Sequence, residues 1–97
     1  MRSDVYSKPV TFRHIGNAYV ALDEDIGLEY LKKGKQEATE KLKRLSASAT
    51  HTSKDIQTAQ KDFFVASLAL ANGMRDLGYH LQAIHEYESL CYLPFPF

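Results

Sequence analysis

Two stretches of the chain repeat apolar residues at alternating steps of three and four, and their lengths do not match. The first runs Leu28, Leu31, Ala38, Leu42 and Leu45, with Lys35 filling the remaining slot. The second runs Ile56, Ala59, Phe63, Ala66, Leu70, Met74, Leu77, Leu81 and Ile84. This alternation draws one apolar stripe along a helix, and another element must cover each stripe. Between the stretches lies Ser-Ala-Ser-Ala-Thr-His-Thr-Ser at 46–53, small, hydroxyl-rich and uncharged. The expected fold is mainly α with a minor β part. An antiparallel pair of helices, 23–45 and 54–92, is joined by the 46–53 linker, preceded by an arm (1–22) and followed by a tail (93–97). Ninety-seven residues make a single small domain.

Local signals set the expected boundaries. Asp23-Glu24-Asp25 suits the positive end of a helix dipole, and Ser53 ahead of Lys54 and Asp55 is the candidate N-cap of the second helix. Glu29–Lys33, Glu37–Lys41 and Glu40–Arg44 are i,i+4 pairs in the favourable order. Gly27 and Gly34 each cost the first helix roughly 1 kcal/mol against Ala. In the second helix, two successive steps of four at Ala66, Leu70 and Met74 shift the stripe beside Asn72-Gly73. The apolar spacing continues through that dipeptide, so a kink there is expected in preference to a break. At 1.5 Å per residue the two helices span roughly 33 Å and 54 Å. About 20 Å of stripe, around Leu77, Leu81 and Ile84, is left without an in-chain helical partner.

In the arm, Val10, Thr11, Phe12, Ile15, Tyr19, Val20 and Leu22 are strand-type residues, with Gly16-Asn17 as a turn signal. They predict a short β-hairpin over 10–15 and 18–22. The stretch from Thr11 to Val20 followed by a heptad helix is similar to the hairpin-to-helix passage of prefoldin subunits, over about a third of the chain. That resemblance implies a chaperone or an oligomeric structural subunit. The Gly- and Ala-rich last helix and the Pro-Phe tail depart from the prefoldin pattern.

The chain closes on Cys91-Tyr92-Leu93-Pro94-Phe95-Pro96-Phe97. Its two prolines exclude a helix and spoil a sheet ladder. Leu93, Phe95 and Phe97 point one way from an extended segment. Such a tail either folds back over its own domain or docks on a partner through a pre-extended, Pro-containing segment. Together with the uncovered stripe it gives an apolar strip with Met74, Leu77, Tyr79, Leu81, Ile84, Tyr87, Tyr92, Leu93, Phe95 and Phe97 as candidate partner-binding residues. Small residues (Ala66, Ala69, Ala71, Gly73, Gly78 and Ala83) permit close backbone approach, either within the domain or to a partner.

Charge is uneven although the net formal charge is zero. Residues 1–31 hold three basic and five acidic side chains, 32–61 eight and three, and 62–97 one and four. Lys33, Lys41, Lys43 and Arg44 are candidate phosphate contacts, but Glu37 and Glu40 interleave with them, as on a solvated helix. Asp76 and His80 share metal-ligand spacing on a helix, yet His85 lies on the opposite side and cannot complete a site. Cys91 has no histidine at a spacing that favours a direct pair. No cofactor, metal or catalytic residue is therefore expected. The single cysteine, and the lack of any signal peptide or long apolar run, point to the cytoplasm and away from membranes.

These observations favour a non-enzymatic protein–protein interaction module. In profile the chain is similar to small accessory proteins, including phage-encoded ones, that bind a larger machine and inhibit or adapt it. The partner is a protein or a second copy. The alternative from another class is a small nucleic-acid-associated regulator using the basic face of 32–44.

Overall fold

The computed structural model describes residues 8–47 and 52–93. They form four helices: α1 (Lys8–Ala21), α2 (Ile26–Ala47), α3 (Ser53–Asp76) and α4 (His80–Cys91). The mainly α expectation holds. No strand occurs among the described residues.

The expected hairpin over 10–22 is instead α1. Phe12, Ile15, Gly16, Tyr19 and Val20 also carry a helical 3–4 spacing. Packing against α2 outweighs the modest β preference of the individual side chains. Gly16-Asn17 is not a turn. Gly16 is buried against α2, where a Cβ would stand 2.6 Å from Leu31 Cγ. Tyr19 stacks on Tyr30 of α2 at 5.6 Å between ring centroids, and Phe12 meets the same ring at 6.4 Å. The hairpin on which the likeness to prefoldin subunits rests is absent.

The α1 helix ends in a Schellman motif. Glu24 N–H donates to the Tyr19 carbonyl at 2.9 Å and Asp23 N–H to the Val20 carbonyl at 2.8 Å. Asp23 occupies the left-handed position with φ of 61°. The acidic triplet thus stops the first helix, and α2 starts at Ile26, three residues later than expected. At the next turn the cap is Thr52, one residue before the expected Ser53. Thr52 Oγ1 accepts from Asp55 N–H at 3.2 Å, and the Asp55 carboxylate accepts from Thr52 N–H at 3.4 Å, a reciprocal capping box.

The expected kink at Asn72-Gly73 is replaced by a full break at Leu77–Tyr79. Gly78 N–H bonds to the Arg75 carbonyl (3.1 Å) and Tyr79 N–H to the Met74 carbonyl (2.8 Å), a second Schellman motif with Gly78 at φ 92°. Gly73, by contrast, is helical and buried, and a Cβ there would lie 2.6 Å from Leu31 Cδ1. Of the two glycines, the one facing open space makes the turn and the one facing Leu31 makes a contact.

The α1 and α2 helices run antiparallel. Gly27 lies beside Gly16 and Val20, and Tyr30 beside Phe12 and Tyr19. The α3 helix returns along α2, so that Gly73 near its end meets Leu28 and Leu31 near the start of α2, and Val20 of α1. Leu28, Leu31, Leu70, Met74 and Ala83 form the core, flanked by Val20, Ala69, Leu77 and Tyr87. Of the expected stripes, Leu28 and Leu31 in α2 and Leu70, Met74 and Leu77 in α3 face this core, and Ala38, Ala59 and Ala66 along them are buried. The α4 helix folds back on α3 and makes no close backbone approach to α1 or α2 among the described residues. Its link to α2 is the Lys35–Glu86 ion pair at 2.8 Å.

Candidate interaction surface

The chain answers the length mismatch between its two stripes by folding the excess back as α4, which leaves that helix apolar on two sides. At 100° per residue, Ala83, Tyr87 and Leu90 share the inner side. Ala83 is buried, Tyr87 donates its hydroxyl to Asn72 Oδ1 of α3, and Glu86 on the flank holds Lys35. Leu81, Ile84, His85 and Glu88 fall on the opposite side within an arc of about 100°. Leu81 is 71 % exposed and Ile84 49 %, and Tyr92, just past the helix end, is 85 % exposed. A globular helix ordinarily turns its polar residues outward, so this face is the anomaly of the structure.

The expected apolar strip from Met74 onward is therefore divided. Met74 is a core residue, which removes it from the candidate partner contacts: the stripe of α3 still faces α2 at that point. Leu77 and Tyr87 are half-buried against the same core. Tyr79 is exposed and bonds through its hydroxyl to Asp25, and the neighbouring negative charge raises the Tyr79 pKa from its ordinary value, the hydrogen bond being the larger cause. Leu81, Ile84 and Tyr92 remain open, and Leu93 is half-buried. Phe95 and Phe97 lie outside the described residues. The small residues Ala66, Ala71, Gly73 and Ala83 are consumed within the domain, all of them buried.

The four basic candidates do not converge. Lys33 lies 5.4 Å from the Tyr30 ring centroid and lines a shallow groove with Phe12, Gln36, Glu37 and Glu40. Lys43 lines a different groove of about 490 Å³, shared with Lys32, Lys35, Gln36, Thr39, Glu40 and Leu70. Lys41 and Arg44 are exposed and line neither. Helical rotation separates side chains that are close in sequence. Lys32, Lys35 and Lys43 share one helix face, but Lys35 pairs with Glu86 and Glu40 lines the same groove. Asp76 takes the Arg75 guanidinium at 3.2 Å, and His85 Nδ1 lies 3.8 Å from Glu88 Oε1.

A second exposed apolar pair was missed. Leu22 is 70 % exposed and Ile26 is exposed as well, on either side of Asp23-Glu24-Asp25 in the α1–α2 turn. No signal short of the turn geometry separates these from core residues. No helix among the described residues is long and apolar enough to cross a membrane. No protein-family model, curated protein or solved structure matches the chain.

Proposed function

We propose that this chain is a non-enzymatic protein-interaction module, a small accessory protein that binds a larger protein assembly and modulates it through the outer face of α4. One observation carries the reading: Leu81 and Ile84 are largely uncovered on the side of α4 opposite the core, with Tyr92 beyond them. Apolar side chains at i and i+3 on an uncovered helix are the anchors of helix-in-groove recognition. Aromatic residues are common at the centre of such contacts and polar residues at their rim. The division of the basic residues between two grooves gives the phosphate-binding alternative a weaker footing than the apolar face gives this one.

The test is Leu81→Asp, alone and with Ile84→Asp, in affinity capture from native lysate. Both side chains are exposed, so the variants keep wild-type helicity and melting behaviour. They lose whatever protein the wild-type chain retains. Undiminished retention by the folded double variant refutes the proposal.

A further inference from the structure

The geometry points to a second contact surface, at the α1–α2 turn, that takes a basic amphipathic segment of another protein. None of its residues lies in α4, so this surface is additional to the one proposed above. Leu22 and Ile26 are 70 % and 49 % exposed, on either side of Asp23-Glu24-Asp25. Tyr79 reaches the same turn, because its hydroxyl donates to Asp25 at 2.8 Å, and it is itself 39 % exposed. Three large side chains from two distant turns are therefore gathered at one end of the molecule without a cover. Uncovered apolar side chains grouped inside a polar rim mark contact sites.

The rim selects the occupant. Asp23, Glu24 and Asp25 lie within the patch, and Glu29 follows one helical turn after Asp25. Arg75, near the end of α3, is already paired with Asp76 at 3.2 Å. The first basic residue of α2 is Lys32, roughly 9 Å along the helix from Ile26. Helix dipoles do not offset the carboxylates: α1 and α3 end here while α2 and α4 begin here, and opposite termini cancel. Such a patch repels nucleic acid and anionic lipid, which carry its own sign. It equally repels a second copy docked through the same patch, which would set one acidic triplet against another. Lysine or arginine flanking apolar residues complements both parts, and an amphipathic helix offers the two side by side. The carboxylates steer the approach, and the apolar side chains hold the bound state.

The probe is a fluorescein-labelled helical peptide of leucine and lysine, about 14 residues long, titrated with the full chain and read by fluorescence anisotropy. Saturable binding with a Kd of roughly 10–100 μM is expected, weakening as salt is raised. The same peptide with glutamate for lysine, or serine for leucine, should not bind. Glu24→Lys should weaken binding about tenfold, and Leu22→Ser or Ile26→Ser about fivefold. All three side chains are exposed, so the variants keep the wild-type circular dichroism. Glu40→Lys makes the same charge change on an exposed residue of α2, about 21 Å along the helix from Ile26 and beyond the ~8–10 Å Debye length. It should leave the affinity unchanged. Equal losses from Glu40→Lys and Glu24→Lys would show attraction to overall charge and overturn the site. So would undiminished binding by both serine variants, or no saturable binding by ~1 mM. Self-association of the chain that Leu22→Ser abolishes would name a second copy and likewise overturn the assignment. None of these results bears on capture through Leu81, so the two proposals fail separately.

Discussion

Tyr79 Oη donates a 2.8 Å hydrogen bond to Oδ2 of Asp25, joining residues 54 positions apart. The bond ties the Schellman turn that ends α1 to the Schellman turn that ends α3, at one end of the molecule. It connects two loops whose backbones are each already closed by their own hydrogen bonds.

This bond makes a contribution to stability that depends on alkaline pH. Asp25 raises the Tyr79 pKa in the folded chain, first by accepting its hydrogen bond and then by its charge. Above the ordinary tyrosine value near 10, the folded state holds a proton that the unfolded state has released, so stability falls as pH rises through the folded pKa. Below about pH 10 the contribution is fully present. Denaturant midpoints at about pH 9 and pH 11 should fall further in the wild type than in Tyr79→Phe, which has no proton to lose at this position. Equal falls would show that the bond does not persist in solution.

Gly27 packs close against the α1 backbone. A Cβ at that position would stand 2.7 Å from the Gly16 carbonyl oxygen and 2.9 Å from the Val20 nitrogen, both backbone atoms that cannot rotate away. Overpacking of this kind costs about 1–3 kcal/mol. Gly27→Ala should lower the urea midpoint despite the roughly 1 kcal/mol that Ala contributes to an ordinary helix interior. A rise in the midpoint would contradict the close approach.

The two left-handed turn residues make a reciprocal pair. Asp23 holds φ of 61° and Gly78 holds φ of 92°. The left-handed region costs a residue with a Cβ about 1–2 kcal/mol, less for Asp because its side chain bonds locally. Asp23→Gly is expected to stabilise by up to about 1 kcal/mol, and Gly78→Ala to destabilise by about 1 kcal/mol although nothing lies near its Cβ. Thermal melts of the two variants should move in opposite directions.

Ser67 is 1 % exposed and its Oγ finds no hydrogen-bond partner among the described residues. A buried unsatisfied hydroxyl carries a desolvation penalty of about 1–3 kcal/mol. Ser67→Ala removes the hydroxyl with little change in volume and should leave stability unchanged or raise it by about 1 kcal/mol. A clear loss in chemical denaturation would reveal a partner for that oxygen.

The capping box distinguishes adjacent hydroxyls. Thr52→Ala removes the oxygen that accepts from Asp55 N–H and should cost about 1 kcal/mol. Ser53→Ala, already inside α3, should cost little, because Ala is the better helix former at that position. Comparable losses at both would place the helix start elsewhere.

Much of the architecture was legible without coordinates. Leu28, Leu31 and Ala38 of the first stripe and Ala59, Ala66, Leu70 and Met74 of the second are buried, because a repeat of three and four depends only on the turn of the helix itself. The same locality explains the misreadings. Strand-type residues in α1 obey a helical spacing that becomes decisive once α2 offers a face to cover. Among the candidate surface residues, Leu81, Ile84 and Tyr92 are exposed, whereas Met74 is core and Leu77 and Tyr87 are half-buried. The difference arises at Gly78, where the chain reverses and a new helix face turns inward.

The glycines show why. Residue order alone establishes that Gly16, Gly27, Gly73 and Gly78 lack a Cβ, and that a helix containing them is weaker for it. Whether a given one is a hinge or a contact depends on what approaches it. Leu31 and the α1 backbone approach the first three, and nothing approaches the fourth. Periodicity is written in neighbours along the chain, and it specified helices and stripes. The meeting of three helices at Gly16, Gly27 and Gly73, and the turn at Gly78 that leaves Leu81 and Ile84 uncovered, depend on residues far apart in sequence and emerge only when the helices pack.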